Sequence, residues 1–205
     1  WKKAGMAPTP GLSLQDLFAS AKSGSINPVR DHVLIGMERH DIGRPGDVGY
    51  PIRGIIKSNL IYLHNFEPSR WPACNPETGY LNVDASPTKS LILEDHRSNP
   101  TDKFWNWCFA KRPGAELYNL EKDPDCLNNL ALNPANAELC DSLKNQMFAK
   151  LKAEGDPRME GKGNLFDEYL HSNKANVNFS DRYMKGENLK AGWVNPSDFE
   201  KKPLD

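Results

Sequence analysis

Apolar residues fall in short runs along this chain, separated by long polar stretches that carry most of the proline and glycine. His32-Val33-Leu34-Ile35-Gly36 is apolar and bounded by charge, which predicts a buried strand. Met37 to Gly49 is polar and holds Gly43, Pro45, Gly46 and Gly49, so it predicts a loop. Ile52 to Lys57 and Leu60 to Phe66 are β-rich runs with Ser58-Asn59 between them, the pattern of a hairpin. These three runs together predict one antiparallel sheet. Glu116 to Leu120 predicts a further short strand. Phe104-Trp105-Asn106-Trp107-Cys108-Phe109 is aromatic on both faces, which suits a packed interior better than a base-stacking platform.

Helical signals are fewer. Ser13 can cap a short helix from Leu14 to Ala21, with Asp16 in its first turn, and Lys89 to Asp95 predicts another. Asp123-Pro124 and Asn133-Pro134 each place a capping residue before a proline at the first helical position. The second of these helices, about 134–153, carries Leu139, Leu143, Met147 and Leu151 at a spacing of four, one stripe for docking on a sheet, and Gly155 closes it. Glu67 to Asn99 is otherwise irregular, which marks a functional segment or one packed on a larger body. Beyond Asp156 the composition turns polar and only sparsely aromatic, predicting an extended arm on another surface. Trp1 to Met6 reads like the last turn of a helix closed by Gly5. The expectation is a chain divided into 1–31, the end of a preceding α/β domain; 32–155, a compact subdomain; and 156–205, the arm.

Charge narrows the partners. With 26 Lys+Arg against 27 Asp+Glu the net charge is −1, giving no electrostatic reason to expect nucleic acid or an anionic membrane. No stretch approaches the ~18 apolar residues of a membrane-crossing helix. Leu, Ile, Val and Phe make up about a fifth of the residues, a thin core for this length. A larger body supplying the missing burial would explain it. The four cysteines, Cys74, Cys108, Cys126 and Cys140, lack zinc-type spacing. They fit either two disulfides, Cys126 with Cys140 closing a short loop, or four free thiols.

Functional side chains are densest at Glu38-Arg39-His40-Asp41 and Arg44, directly after the first strand. A sheet fixes the position of such a loop while the loop exposes its residues. Arg39 and Arg44 could offer planar forks to a carboxylate or sulfate, and His40 could donate to a leaving oxygen. Asp41 could accept hydrogen bonds from sugar hydroxyls or an amine. His64 reads as a core histidine, while His96 and His171 read as exposed. Trp71 and Lys89 read as a packing residue and a surface lysine. No phosphate loop, G-x-S-x-G elbow or H-E-x-x-H occurs.

The run from His32 to Asp41, then Arg44-Pro45, Gly49-Tyr50-Pro51-Ile52-Arg53, Tyr62-Leu63, Asn65-Phe66-Glu67-Pro68 and Arg70-Trp71-Pro72, resembles the C-terminal half of type I, formylglycine-dependent sulfatases. It is most similar to the branch around heparan N-sulfatase (N-sulfoglucosamine sulfohydrolase). Glu116-Leu117-Tyr118-Asn119-Leu120, Asp123-Pro124 and Asn128-Asn129-Leu130-Ala131 resemble the ending of that superfamily, and Ala4-Gly5-Met6 with Gly11-Leu12-Ser13-Leu14 is similar to an earlier passage of it. Together the matches span roughly residues 4–152.

The resemblance implies an α/β, alkaline-phosphatase/sulfatase-like protein. This chain would be mainly its C-terminal α+β subdomain, a small antiparallel sheet with a packed C-terminal helix. It implies a hydrolase of sulfate esters or sulfamates on a glycosaminoglycan-like saccharide, with a formylglycine and a calcium ion. Cys74-Asn75-Pro76-Glu77-Thr78 has Cys and Pro placed as the formylglycine motif needs, but Thr78 stands where Arg is required. The nucleophile and metal are therefore expected on an N-terminal sulfatase polypeptide, with no catalytic or metal residue in this chain and the fragment alone inactive. His40 and Asp41 match a His-acid pair that faces the substrate sugar in that branch, and Arg39 and Arg44 accompany them as substrate-binding residues. The resemblance also implies a secreted, periplasmic or lysosomal location. The alternative is a noncatalytic sugar-binding or structural module sharing the subdomain.

Overall fold

A computed structural model describes residues 5–7 and 9–204. The expected helix end at Trp1 to Ala4 lies outside the described residues. The chain forms an α/β domain on a four-stranded antiparallel sheet. Strands β1 (His32–Met37), β2 (Ile52–Lys57), β3 (Leu60–Asn65) and β4 (Ala115–Asn119) lie in the order β1-β2-β3-β4. The turn between β2 and β3 is Ser58-Asn59, with Ser58 in the left-handed region at φ 53°. Leu34 faces Ile55, Ile55 faces Tyr62, and Tyr62 faces Leu117 across the ladder. This register puts one apolar row on a single face, because side chains alternate along a strand.

A long helix covers that face. The expected helix 134–153 forms as a 3₁₀ turn at Pro134–Asn136, whose Asn133 side chain accepts the Ala135 N–H at 3.0 Å, running into Ala137–Ala153. Its Leu143, Met147 and Leu151 are buried against Ile55, Tyr62 and Leu117, and Leu139, one turn earlier, lies at the margin. Gly155 adopts φ 79° beyond the helix end. The parallel expectation at Asp123-Pro124 is not met. The Asp123 carboxylate there accepts the N–H groups of Leu127 (3.1 Å) and Asn128 (2.8 Å), and Cys126 turns left-handed at φ 54°. The cap closes a turn because no apolar stripe follows to hold a helix on the sheet.

Three further helices stand where the sequence signals were weaker. The first, Gln15–Phe18, is a shortened form of the one expected, and Ser13 Oγ accepts the Gln15 N–H at 3.3 Å. The second, Pro87–Ser98, starts two residues before the expected Lys89, on a Ser86 cap followed by proline at its first position. The third, Lys103–Cys108, resolves the aromatic run: Trp105 and Phe109 are buried with Trp71 and Tyr80, while Phe104 and Trp107 face outward. All four cysteines are free thiols, which removes the Cys126–Cys140 bridge.

Residues after Asp156 lie on this chain's own body rather than on another surface, correcting the expected free arm. They include the short helices Leu165–Glu168 and Phe179–Met184. Phe179 is fully buried with Ile42, Cys74 and Leu81. Asp198 meets Lys89 in a buried ion pair at 3.2 Å, and the Lys89 ammonium also donates to the carbonyls of Gly79 (2.8 Å) and Val83 (2.7 Å). Lys89 is thus an internal latch, not a surface lysine.

The second face of the sheet is open at its β1 end. Val33 is 59% exposed and Ile35 37% exposed. Ile35 and Leu63 close over Gly54, where an added Cβ would lie 2.8 Å from Ile35 Cγ1 and 2.7 Å from Leu63 Cδ2. The helix stripe, expected to lack a partner, has the sheet; the uncovered apolar surface is this opposite face. Met147→Ala should destabilise the domain by about 2–5 kcal/mol in urea unfolding, against less than about 1 kcal/mol for Leu139→Ala at the margin.

Candidate functional site

The loop between β1 and β2 is closed at its base. Tyr50 N–H donates to the Glu38 carbonyl at 2.9 Å, and the two backbones approach so nearly that a Cβ on Gly49 would sit 2.6 Å from that oxygen. Only glycine fits there. Glu38 itself anchors a charged ring. Arg53 Nη2 donates to Glu38 Oε1 at 2.5 Å, Arg53 Nε to Asp156 Oδ2 at 2.6 Å, and Arg158 Nε and Nη2 to the two Glu38 oxygens at 2.7 Å each. The Arg158 guanidinium lies over Phe66 (5.3 Å) and Phe166 (5.5 Å).

Arg44 secures the far side of the loop. Its side chain is 1% exposed, with Nε donating to the Trp71 carbonyl at 2.7 Å and Nη2 to that of Pro72 at 2.7 Å. The expectation that Arg44 presents its fork to a ligand is corrected: the fork caps two backbone carbonyls beneath the loop. Arg39 has a similar part, donating through Nη1 to the Asp47 carbonyl (2.9 Å) and through Nη2 to that of Tyr169. It is half-buried and joins the loop to the C-terminal segment.

The same segment pins the loop at other points. Gly49 N–H donates to Asp167 Oδ1 at 2.7 Å, Gly46 N–H to Asp181 Oδ2 at 2.8 Å, and Asn178 N–H to Asp47 Oδ2 at 2.6 Å. His40 and Asp41 sit on this fixed frame, His40 exposed and Asp41 half-buried. Asp41 Oδ1 accepts the Ile42 N–H at 2.8 Å. Among the described residues Asp41 has no ion-pair partner, in contrast to Glu38, Asp156, Asp167, Asp198 and Glu116. Burial pushes its carboxyl above the ordinary carboxylate range; the Ile42 N–H and the charges of His171 and His40 act the other way, and Asp84 adds to the rise.

The Cys74–Thr78 segment serves packing. Cys74 is fully buried in the left-handed region at φ 69°, with its Sγ 3.2 Å from Asn82 Oδ1, and burial pushes the thiol up to about 11. Thr78 Oγ1 donates to the carbonyls of Gly43 and Asn75, each at 2.8 Å. Trp71 packs edge-on against Trp105 with Lys111 over its ring, as a packing residue. His64 lies between Phe66 and Phe148, and burial lowers its pKa. His96 stacks on Trp105 at 3.8 Å instead of standing exposed. No protein-family model matches the chain, and no curated protein matches it.

The structure therefore gathers His40 and Asp41 at the loop surface and draws both arginines inward. Sequence reasoning missed His171 and Asp84 beside them. They stand 130 and 43 positions from Asp41, and no local spacing relates them to it.

Because its folded carboxyl titrates above the unfolded one, Asp41 burdens the fold when ionised. The native state is relieved of that burden as pH falls through the raised pKa. Asp41→Asn should therefore raise Tm near pH ~7, with the gain shrinking towards pH ~3; thermal unfolding at both values checks this.

Proposed function

We propose that this chain is the C-terminal part of a sulfatase acting on sulfate esters or sulfamates of a sulfated, glycosaminoglycan-like saccharide. In this reading it furnishes one wall of the substrate pocket. The observation that carries the proposal is Asp41, a desolvated carboxylate without a cation bound to it, beside the exposed His40 on a loop tied down from several sides. Unpaired, partly buried charge costs stability, and such costs concentrate where binding or catalysis needs the charge. His40 offers an imidazole N–H to a sulfate oxygen or to the departing sugar heteroatom. Asp41 offers carboxylate oxygens to a sugar hydroxyl or amine. Arg39 and Arg44 support the loop from within.

The formylglycine and calcium belong, in this proposal, to a companion N-terminal polypeptide. The residues of this chain do not suit either group. Cys74 is fully buried with a thiol pushed up to about 11, and no three His, Cys, Asp or Glu side chains converge as a metal site among the described residues. The open face at Val33 and Ile35 gives that companion an apolar surface to cover. Secretion to a periplasm, lysosome or medium is proposed on the same resemblance.

The test is turnover of a sulfated saccharide by the complete protein. His40→Ala should lower kcat/KM by about 100-fold and Asp41→Ala by about tenfold, with Tm no lower than that of the parent. Unchanged kcat/KM in both variants removes the pair from the pocket. A complete protein that lacks a C/S-x-P-x-R segment and binds the saccharide without hydrolysing it would be a noncatalytic module.

The chain on its own should also self-associate through the open face. Ile35→Lys should reduce that association, as read by light scattering, without altering the far-UV circular dichroism. Undiminished association would place the sticky surface elsewhere.

A further inference from the structure

We propose that His171 is a third substrate-contacting residue of the His40–Asp41 pocket, donating a hydrogen bond to an anionic sulfate group of the saccharide. The inference rests on the pocket reading above and extends it to a residue outside the stretch that carries the resemblance.

The first observation is the path of the chain around His171. On its N-terminal side, the Tyr169 carbonyl accepts from Arg39, the residue next to His40, and Asp167 holds Gly49 at 2.7 Å. On its C-terminal side, Asn178 N–H binds Asp47 at 2.6 Å and Asp181 binds Gly46 N–H at 2.8 Å. His171 lies on the span between these attachments, all of them to the one loop that presents His40 and Asp41. A segment joined to a loop on both sides of a residue keeps that residue over the loop without further contacts.

The second observation is the state of the ring. His171 is half-buried, and its Nδ1 accepts the Asn173 N–H at 3.2 Å. An Nδ1 that accepts a hydrogen bond carries no proton, so the ring proton resides on Nε2, which is then the donor available to a ligand. The third is electrostatic proximity: the Asp41 carboxyl, raised by burial, is drawn back by the charge of His171 as well as by that of its neighbour His40. Asp84 also acts on this carboxyl. Two imidazole donors around one carboxylate fit a ligand bearing an anion next to a hydroxyl or amine, the pairing found in a sulfated amino sugar. With Arg39 and Arg44 turned to backbone carbonyls, the histidines are the donors left on this rim for the anion.

The experiment is calorimetric binding of a heparin-derived, fully sulfated tetrasaccharide and its desulfated counterpart to the full protein. His171→Ala should weaken the sulfated ligand by about tenfold and leave the desulfated one unchanged. His171→Gln, which keeps a side-chain N–H donor, should recover part of the loss. In the parent protein the His171 and His40 ring proton resonances should shift together on adding the sulfated ligand. If His40→Ala weakens binding while both His171 variants bind as the parent does, the inference is wrong and the pocket reading stands. Equal weakening towards the sulfated and desulfated ligands would reduce His171 to a structural prop and also overturn it. If the parent protein binds neither saccharide, the pocket reading fails and the inference falls with it.

Discussion

The ring of Glu38, Arg53, Asp156 and Arg158 is the constraint on which this structure turns. It joins the end of β1, the middle of β2 and the point where the chain leaves its long helix, with nitrogen–oxygen distances of 2.5–2.7 Å. Each carboxylate meets a guanidinium and each guanidinium meets a carboxylate, so no member is left desolvated alone. Removing one partner from such a buried network costs about 3–5 kcal/mol. The network fixes where the site loop begins. It also fixes the direction in which the C-terminal segment departs, and that direction takes the segment across the loop. The two aromatic rings under Arg158 fill the space that water would otherwise enter.

Immobility of the loop follows from a division of labour among its polar residues. Arg44 caps carbonyls from below, Arg39 reaches the crossing segment, Asp47 accepts from Asn178, and Gly49 permits the close approach at the base. Every one of these groups has a partner within the protein that ties the loop. Asp41 alone combines partial burial with the absence of an ion pair among the described residues, and its neighbour His40 faces solvent. That contrast separates scaffold from site more sharply than charge density does, since arginine, aspartate and glutamate are present in both.

The sheet presents two unlike faces. One carries Ile55, Tyr62 and Leu117 under the long helix and forms the largest share of the core near the strands. The other carries Val33 and Ile35 into solvent at the outer strand. A strand buried on one side only ordinarily alternates apolar with polar positions, and β1 does not. Its second apolar set marks a surface shaped for contact, and it accounts for the thin core that the composition implies.

Local sequence determined the elements whose signals are local. The hairpin at Ser58-Asn59, the first strand, the following loop and the stripe at Leu143, Met147 and Leu151 stand where alternation, turn residues and fourfold spacing put them, because each is held by neighbours within a few positions. The cluster Glu38 to Asp41 was equally legible as a concentration of chemistry. Tertiary structure decided which members of that cluster are free. Arg44 turned inward because the carbonyls of Trp71 and Pro72 come beneath it, and Arg39 because Tyr169 crosses beside it. It also decided that Asp123 closes a turn, that Lys89 finds Asp198, and that His171 comes near Asp41. Contacts between residues 27 to 130 positions apart depend on the folded path of the backbone, and that path leaves no periodic mark on the sequence.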